Sequence, residues 1–197
     1  MYCILVTGIP AAGKSTMARK LSKELNLPVI SKDDIKEIMF DDVGFKSREE
    51  KVALGIAAMN IMYYIAEQFM KLNKPFILEN NFEYSSKEGL YHILGKYSYK
   101  AITVTLTGDY EKIYERYAIR NNSPERHRGH VVNDCYPERE IDKGKFVPAI
   151  PFESYVEAFV GRGMDSFVGN GPQIKIDTSN LEHIDVSGLV EKIKQCI

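Results

Sequence analysis

The stretch Gly8-Ile9-Pro10-Ala11-Ala12-Gly13-Lys14-Ser15-Thr16 decides how the rest of the chain is read. It matches the phosphate-binding pattern of a glycine, four residues, then Gly-Lys-Ser/Thr. Gly8 and Gly13 are expected where the backbone must turn and a side chain would collide with phosphate. The loop N–H groups, from Ala11 and Ala12 through Thr16, are expected to converge on an anion, and the following helix adds its positive end. Lys14 can reach the β- and γ-phosphates, and the Ser15 hydroxyl can serve Mg²⁺. A chance match in a helix-capping loop is the alternative, and the flanks argue against it. Tyr2 to Thr7 is a short β-rich apolar run, as in a buried parallel strand. Thr16 to Leu25 reads as a helix with Met17, Leu21 and Leu25 at helical spacing. Strand, glycine loop and helix in that order point to nucleoside triphosphate binding.

Composition narrows the setting. A chain of 197 residues suits one α/β domain, residues 1–197, with an inserted lid at about 121–150. At 44% hydrophobic residues it can bury a full core. The formal net charge of -1 gives no overall basic field, so nucleic acid is possible but not favoured as a partner. Cys3, Cys135 and Cys196 lie far apart and show no zinc-ligand spacing. With a strand expected at Tyr2, a signal peptide is not expected. The most apolar helix, around Val52 to Met70, is interrupted by Asn60, Glu67 and Gln68 and is not read as a membrane span. A cytoplasmic protein is the expectation.

Further along, Pro28 to Ser31 reads as a second strand that ends in Lys32-Asp33-Asp34-Ile35-Lys36. Ligands of open parallel sheets sit at the carboxyl ends of the strands, so a carboxylate there can face the phosphates. Asp33 or Asp34 could instead cap a helix from Ile35 to Phe40, and Asp33 is favoured as the functional one. Ser47 followed by Glu50 is a capping-box signature for a helix to about Leu72, with Val52, Ile56, Met59, Tyr63, Ala66 and Met70 as its expected buried face. A third strand from Pro75 to Leu78 ends in Glu79-Asn80-Asn81. Glu79 can hold Mg²⁺ through water or orient an acceptor, Asn80 can hydrogen-bond one, and a plain polar turn is the alternative. A helix over Ser86 to Tyr97 and a strand over Ala101 to Thr107 follow. In the next helix, from Asp109, Arg116 and Arg120 share a face. The segment Asn122 to His130 is the densest basic stretch. It fits a lid that closes over phosphates, although charge runs are commonly solvated loops. His127 and His130 do not suggest a metal site. Arg162, between two glycines, could meet a ligand. A helix over Phe152 to Val160, a fifth strand over Gln173 to Thr178, and a closing helix over Val186 to Cys196 complete the chain, with Thr178 at the strand edge where adenine could lie.

Five strands alternating with helices, the loop at Gly8–Thr16, the Ser31–Lys36 segment, the strand end at Leu78–Phe82 and the basic segment Arg120–Gly129 resemble a nucleoside-monophosphate-kinase-like fold. More narrowly, they resemble the AAA-domain family of small P-loop kinases. That family includes the kinase domain of phage polynucleotide kinase, with chloramphenicol phosphotransferases and zeta toxins more distant. The resemblance implies an α/β P-loop NTPase with a five-stranded parallel sheet and a basic lid. It implies Asp33 as general base on an acceptor hydroxyl, Lys36 on an acceptor phosphate, and Arg128 on ATP phosphates with Arg120 opening the same segment. Where the family pattern has Asp at the third-strand position, this chain has Asn80, preceded by Glu79. The expected activity is a Mg²⁺-dependent ATP phosphotransferase acting on a small-molecule hydroxyl. The alternatives are a 5′-hydroxyl polynucleotide kinase and a slowly hydrolysing nucleotide switch.

Overall fold

The computed structural model describes residues 1–197. Its central strand, β1 (Tyr2–Gly8), is apolar on both faces, and the period-2 geometry of a strand sorts those residues into two layers. Ile4 and Val6 enter one core, with Met17, Leu21, Ile113, Tyr155 and Leu189. Cys3 and Leu5 enter the other, with Met62, Met70, Phe76, Leu90 and Phe167. Helix α1 (Lys14–Leu25) follows β1, then β2 (Val29–Ser31), α2 (Lys32–Asp42) and α3 (Arg48–Lys71). Next come β3 (Ile77–Glu79), α4 (Lys87–Lys96), β4 (Lys100–Thr107) and α5 (Tyr110–Asn121). The chain continues with α6 (Arg128–Val131), α7 (Phe152–Phe159), β5 (Gln173–Asp177) and α8 (Val186–Lys194). All strand pairs are parallel, in the order β2-β3-β1-β4-β5. This is a five-stranded parallel sheet between helical layers, the α/β P-loop architecture expected. The carboxyl ends of β1, β2 and β3 therefore meet along one edge, where such sheets hold ligands.

Two local expectations needed correction. The helix after β2 starts at Lys32, and its cap is Ser31, whose hydroxyl accepts from the Asp34 N–H at 3.3 Å. Neither Asp33 nor Asp34 is spent on capping. The Ser47 cap of α3 forms as expected, accepting from the Glu50 N–H at 3.3 Å. The buried face of α3, however, is Lys51, Gly55, Ala58, Met62, Ala66 and Met70, while Val52 and Ile56 are exposed. The apolar pattern runs almost all round this helix, so hydrophobicity alone could not choose a face. Gly55 lies against Lys36 of α2, and Lys51 is taken up by residues 130–133. By length and mean hydropathy (1.2 over its most apolar window) α3 could cross a membrane. Here one side of it packs on α2, α4 and β2.

The segment between α5 and α7 docks on α2 and α3. Phe45 and Tyr136 exchange backbone hydrogen bonds of 2.7 and 2.8 Å, and Phe40, Phe45 and Val132 form a small core of their own. Gly129 lies against the Phe40 ring, where an added Cβ would sit 2.4 Å from it. Lys51, buried in α3, donates to the carbonyls of His130 (3.0 Å) and Val132 (2.5 Å) and to Asn133 Oδ1 (3.1 Å).

Candidate functional site

The phosphate loop is held from three sides. Gly8 has φ +145°, and a Cβ there would lie 2.3 Å from the Leu106 carbonyl oxygen. The neighbouring strand, not a phosphate, therefore demands the first glycine, which corrects the reason expected for it. Ala11 adopts φ +65° and Gly13 φ +94°, so the turn places two left-handed residues before α1. Tyr155 donates from α7 to the Pro10 carbonyl at 2.6 Å and pins the outer side of the loop. The Ala12 side chain is core, and its N–H donates to Ile9 O at 3.2 Å, so Ala12 is a structural residue of the turn and not an anion ligand. Ala11, Gly13, Lys14, Ser15 and Thr16 open on a cleft of about 640 Å³. Lys14 is 8% exposed, and its ammonium donates to Ile9 O at 3.0 Å. Burial pulls it down to about 8, against the pull of Glu79 and Asp33.

Across the cleft, β2 and β3 pair with Ser31 opposite Glu79. The Ser31 hydroxyl donates to Glu79 Oε2 at 2.9 Å while it caps α2, so one side chain orients a carboxylate and a helix terminus together. Burial raises Glu79 above the ordinary glutamate range, with Lys14 opposing. Asp33 faces the cleft from the first turn of α2, whereas Asp34 is exposed and outside it. Burial would push Asp33 up, but His130, Arg126, Lys14 and Lys32 outweigh it and hold the carboxyl below its ordinary range. Asp33 is therefore ionised at neutral pH. Lys36 and Asn80 line the same wall, and Asn80, 5% exposed, has only the Met59 sulfur within reach of its amide, at 3.8 Å.

The lid side differs from expectation in one residue. Arg116, Arg120 and Arg126 line the cleft. Arg128 does not: it makes a two-pronged pair with Glu138 (2.9 and 2.7 Å) and donates to Lys145 O at 3.0 Å. With Gly129 docked on Phe40, Arg128 lies outside the cleft and the arginine two places earlier lines it. Thr178 is likewise displaced from its expected role, since it is fully buried and its hydroxyl donates to Thr107 O at 3.0 Å. Arg116 bonds Ser179 O at 3.4 Å, while its Nε and Nη2 are buried without a protein partner. His130 also reaches the cleft, tied to Glu37 at 3.0 Å, and Arg162 reaches it paired with Glu83.

A family model described as "AAA domain" matches residues 3–135 of this chain. The chain belongs to the AAA-domain family. None of the proteins of curated function matches it significantly. Among solved structures, it is similar to a protein of Chloroflexus aurantiacus provisionally assigned as a kinase: 27% identity over 100% of this chain and 98% of that one, TM-score 0.81. It also shares its fold with Kti12 of Chaetomium thermophilum, solved with ADP-AlF3 (19% identity, 99% and 98% covered, TM-score 0.57). A gluconokinase of Sinorhizobium meliloti is a third such structure (13% identity, 97% and 88% covered, TM-score 0.53). This AAA-domain chain thus has the nucleotide-binding fold of small P-loop kinases.

Within this AAA-domain cleft the oxygen donors include the Ser15 hydroxyl and the carboxylates of Asp33 and Glu79. No group of three or more His, Cys, Asp or Glu side chains could hold a metal by itself. A hard cation that takes one or two protein oxygens and completes its shell with phosphates and water, as Mg²⁺ does, suits this donor set. Lys32, Arg126 and His130 were the site residues not singled out in the sequence. Lys32 had a signal, being the first residue after a strand end. Arg126 had none that separated it from Arg128, because the choice depends on how α6 docks.

Proposed function

We propose that this protein is a Mg²⁺-dependent kinase that moves the γ-phosphoryl group of ATP to a hydroxyl of a small molecule. One observation carries the reading: an ionised carboxylate, Asp33, free of any protein hydrogen bond, faces the same cleft as the phosphate loop and the arginines Arg116, Arg120 and Arg126. On this reading that carboxylate serves as the base for an acceptor hydroxyl. Near-neutral overall charge favours a small acceptor over a polynucleotide.

The reaction is mostly positioning and charge neutralisation. The β- and γ-phosphates lie on the N–H groups at Gly13 to Thr16, with Lys14 exchanging its Ile9 carbonyl for phosphate oxygen. Mg²⁺, held through Ser15 with Glu79 behind it, would supply neutralisation of the phosphate charge. Arg120 and Arg126 face the transferring group from the lid, and Asn80 offers its unpaired amide to the acceptor. Asp33 takes the proton as the acceptor oxygen bonds to the γ-phosphorus, the bond to the bridging oxygen breaks, and ADP leaves. Arg116, with two unpartnered N–H groups near Ser179, lies where the nucleoside would rest. Three free thiols and an ATP substrate fit a cytoplasmic setting.

A screen with γ-labelled ATP against sugars, polyols, nucleosides, hydroxy acids, antibiotics and 5′-hydroxyl oligonucleotides tests this. Label is expected in a small hydroxylated acceptor. Label found only in inorganic phosphate, at a rate no acceptor changes, would mean a switch.

A further inference from the structure

Lys51 is the most deeply buried lysine of the chain, at 4% exposure, deeper than Lys14 of the phosphate loop. A lysine on a helix ordinarily buries its stem and keeps its ammonium in water. Lys51 turns its ammonium inward over the Phe45 ring, 5.7 Å from the centre, and no carboxylate meets it there. Burial, and then the repulsion of Lys36, Arg48 and Arg126, pull it down to about 7. An ammonium has three N–H groups, and all three are spent on one distant segment. They go to His130 O at 3.0 Å, Val132 O at 2.5 Å and Asn133 Oδ1 at 3.1 Å. Nothing in α3 itself requires that charge. An apolar side chain of the same length would leave the stability of the fold unchanged or raise it. What would be lost is the tie to residues 130–133.

That tie is passed back along the chain to the cleft. The turn of α6 is closed by the His130 N–H on His127 O and the Val132 N–H on Arg128 O, both at 3.0 Å. Holding 130–133 therefore holds His127, the residue that follows Arg126. The other polar ties of this segment are weaker in kind. His127 pairs with Asp41 and His130 with Glu37, whose side chains are 59% and 35% exposed, and pairs so open to water contribute little. The bonds from Lys51 are buried and charge-assisted, the stronger sort. Lys51 does not line the cleft, whereas Arg126 does.

Resting on the reading of Arg126 as a contact to the γ-phosphate, we infer that Lys51 is a positioning residue of this site: by fastening residues 130–133 to α3 it holds Arg126 at the transferring phosphoryl group. The segment is seated before nucleotide arrives, so the arginine is aimed in advance and little ordering remains to oppose its contact. The consequence is selective. Loss of Lys51 is felt by a nucleotide that carries a γ-phosphate and not by ADP, which lacks one.

The test compares calorimetric binding of a non-hydrolysable ATP analogue and of ADP, each with Mg²⁺, to the full-length wild type, Lys51→Met, Arg126→Ala and the double variant. Lys51→Met is expected to melt at or above the wild-type temperature, to bind ADP within about twofold, and to bind the analogue about tenfold more weakly. The double variant is expected to bind the analogue within about twofold of Arg126→Ala alone, because both changes remove the same contact. Phosphoryl transfer should fall in the same pattern, through kcat and not through the acceptor KM. A Lys51→Met protein that fails to fold, or melts well below the wild type, overturns the inference, since the lysine then serves the fold. Equal losses for ADP and the analogue, no loss for either, or losses that add in the double variant overturn it too. The kinase reading fails by a different result: no transfer by the wild-type protein to any acceptor removes that reading, while the comparison of analogue with ADP still decides whether Lys51 seats Arg126.

Discussion

Lys14 and Gly8 belong to the same nine residues and fail in different ways when changed. The Lys14 ammonium meets charge that grows in the transition state, so Lys14→Ala should lower the transfer rate by about 10²–10³-fold with the fold intact. Steady-state rates beside a thermal melt check this. Gly8→Ala should instead unfold the protein more easily, by about 2–4 kcal/mol in a denaturant titration, because its Cβ would press on the Leu106 carbonyl at a positive φ. The charge state of the lysines sets a pH dependence. Lys14 and Lys36 both sit at about 8, lowered by burial, and each loses its charge as pH rises through that value. Affinity for a nucleotide analogue, which needs Lys14 protonated, should hold below pH 8 and fall about tenfold by pH 9. A flat profile to pH 9.5 would contradict this. The glycine and the lysine of the loop were both legible in the sequence as a motif. What Gly8 avoids was not, because the Leu106 carbonyl is almost a hundred residues away and only the β1–β4 register brings it near.

Helices show the same division between what periodicity reveals and what docking decides. All five strands and the long helices lie within a few residues of where hydrophobic runs and caps place them. The face of α3 was hidden, since Val52, Ile56 and Tyr64 make its solvent side nearly as apolar as its buried one. Arg126 and Arg128 could not be ranked either, because their directions follow from Gly129 packing on Phe40 and from Glu138, ten residues on, claiming Arg128. That geometry separates two variants. Arg126→Ala should lower transfer about 10²-fold with little change in stability. Arg128→Ala should leave Glu138, whose side chain is only 8% exposed, without its partner. Cleavage of the 122–150 segment by a protease should then speed up several-fold, with the smaller loss of turnover. The reverse ranking in the two assays would put Arg128 at the phosphates after all.

On the proposed kinase reading, the molecule as a whole brings two halves of a reaction to one edge of a parallel sheet. The loop after β1 and the arginines around α5 form the donor half. The ends of β2 and β3, with the first turns of α2, form the acceptor half. The donor half was legible because it is one contiguous motif. The acceptor half would be assembled from residues 31–36 and 79–80 and from the lid, stretches that only the fold brings together. Asp33 is where the two halves meet, so it tests the central claim most directly. Asp33→Asn keeps the size of the side chain and removes the base. Measured side by side on the acceptor found in the labelled-ATP screen, its affinity for Mg²⁺ and ATP should stay within about twofold, while phosphoryl transfer falls by about 10²–10⁴-fold. Transfer at the wild-type rate, or a loss explained wholly by weaker ATP binding, would contradict the assignment of Asp33 as the base and with it this cleft as a kinase site.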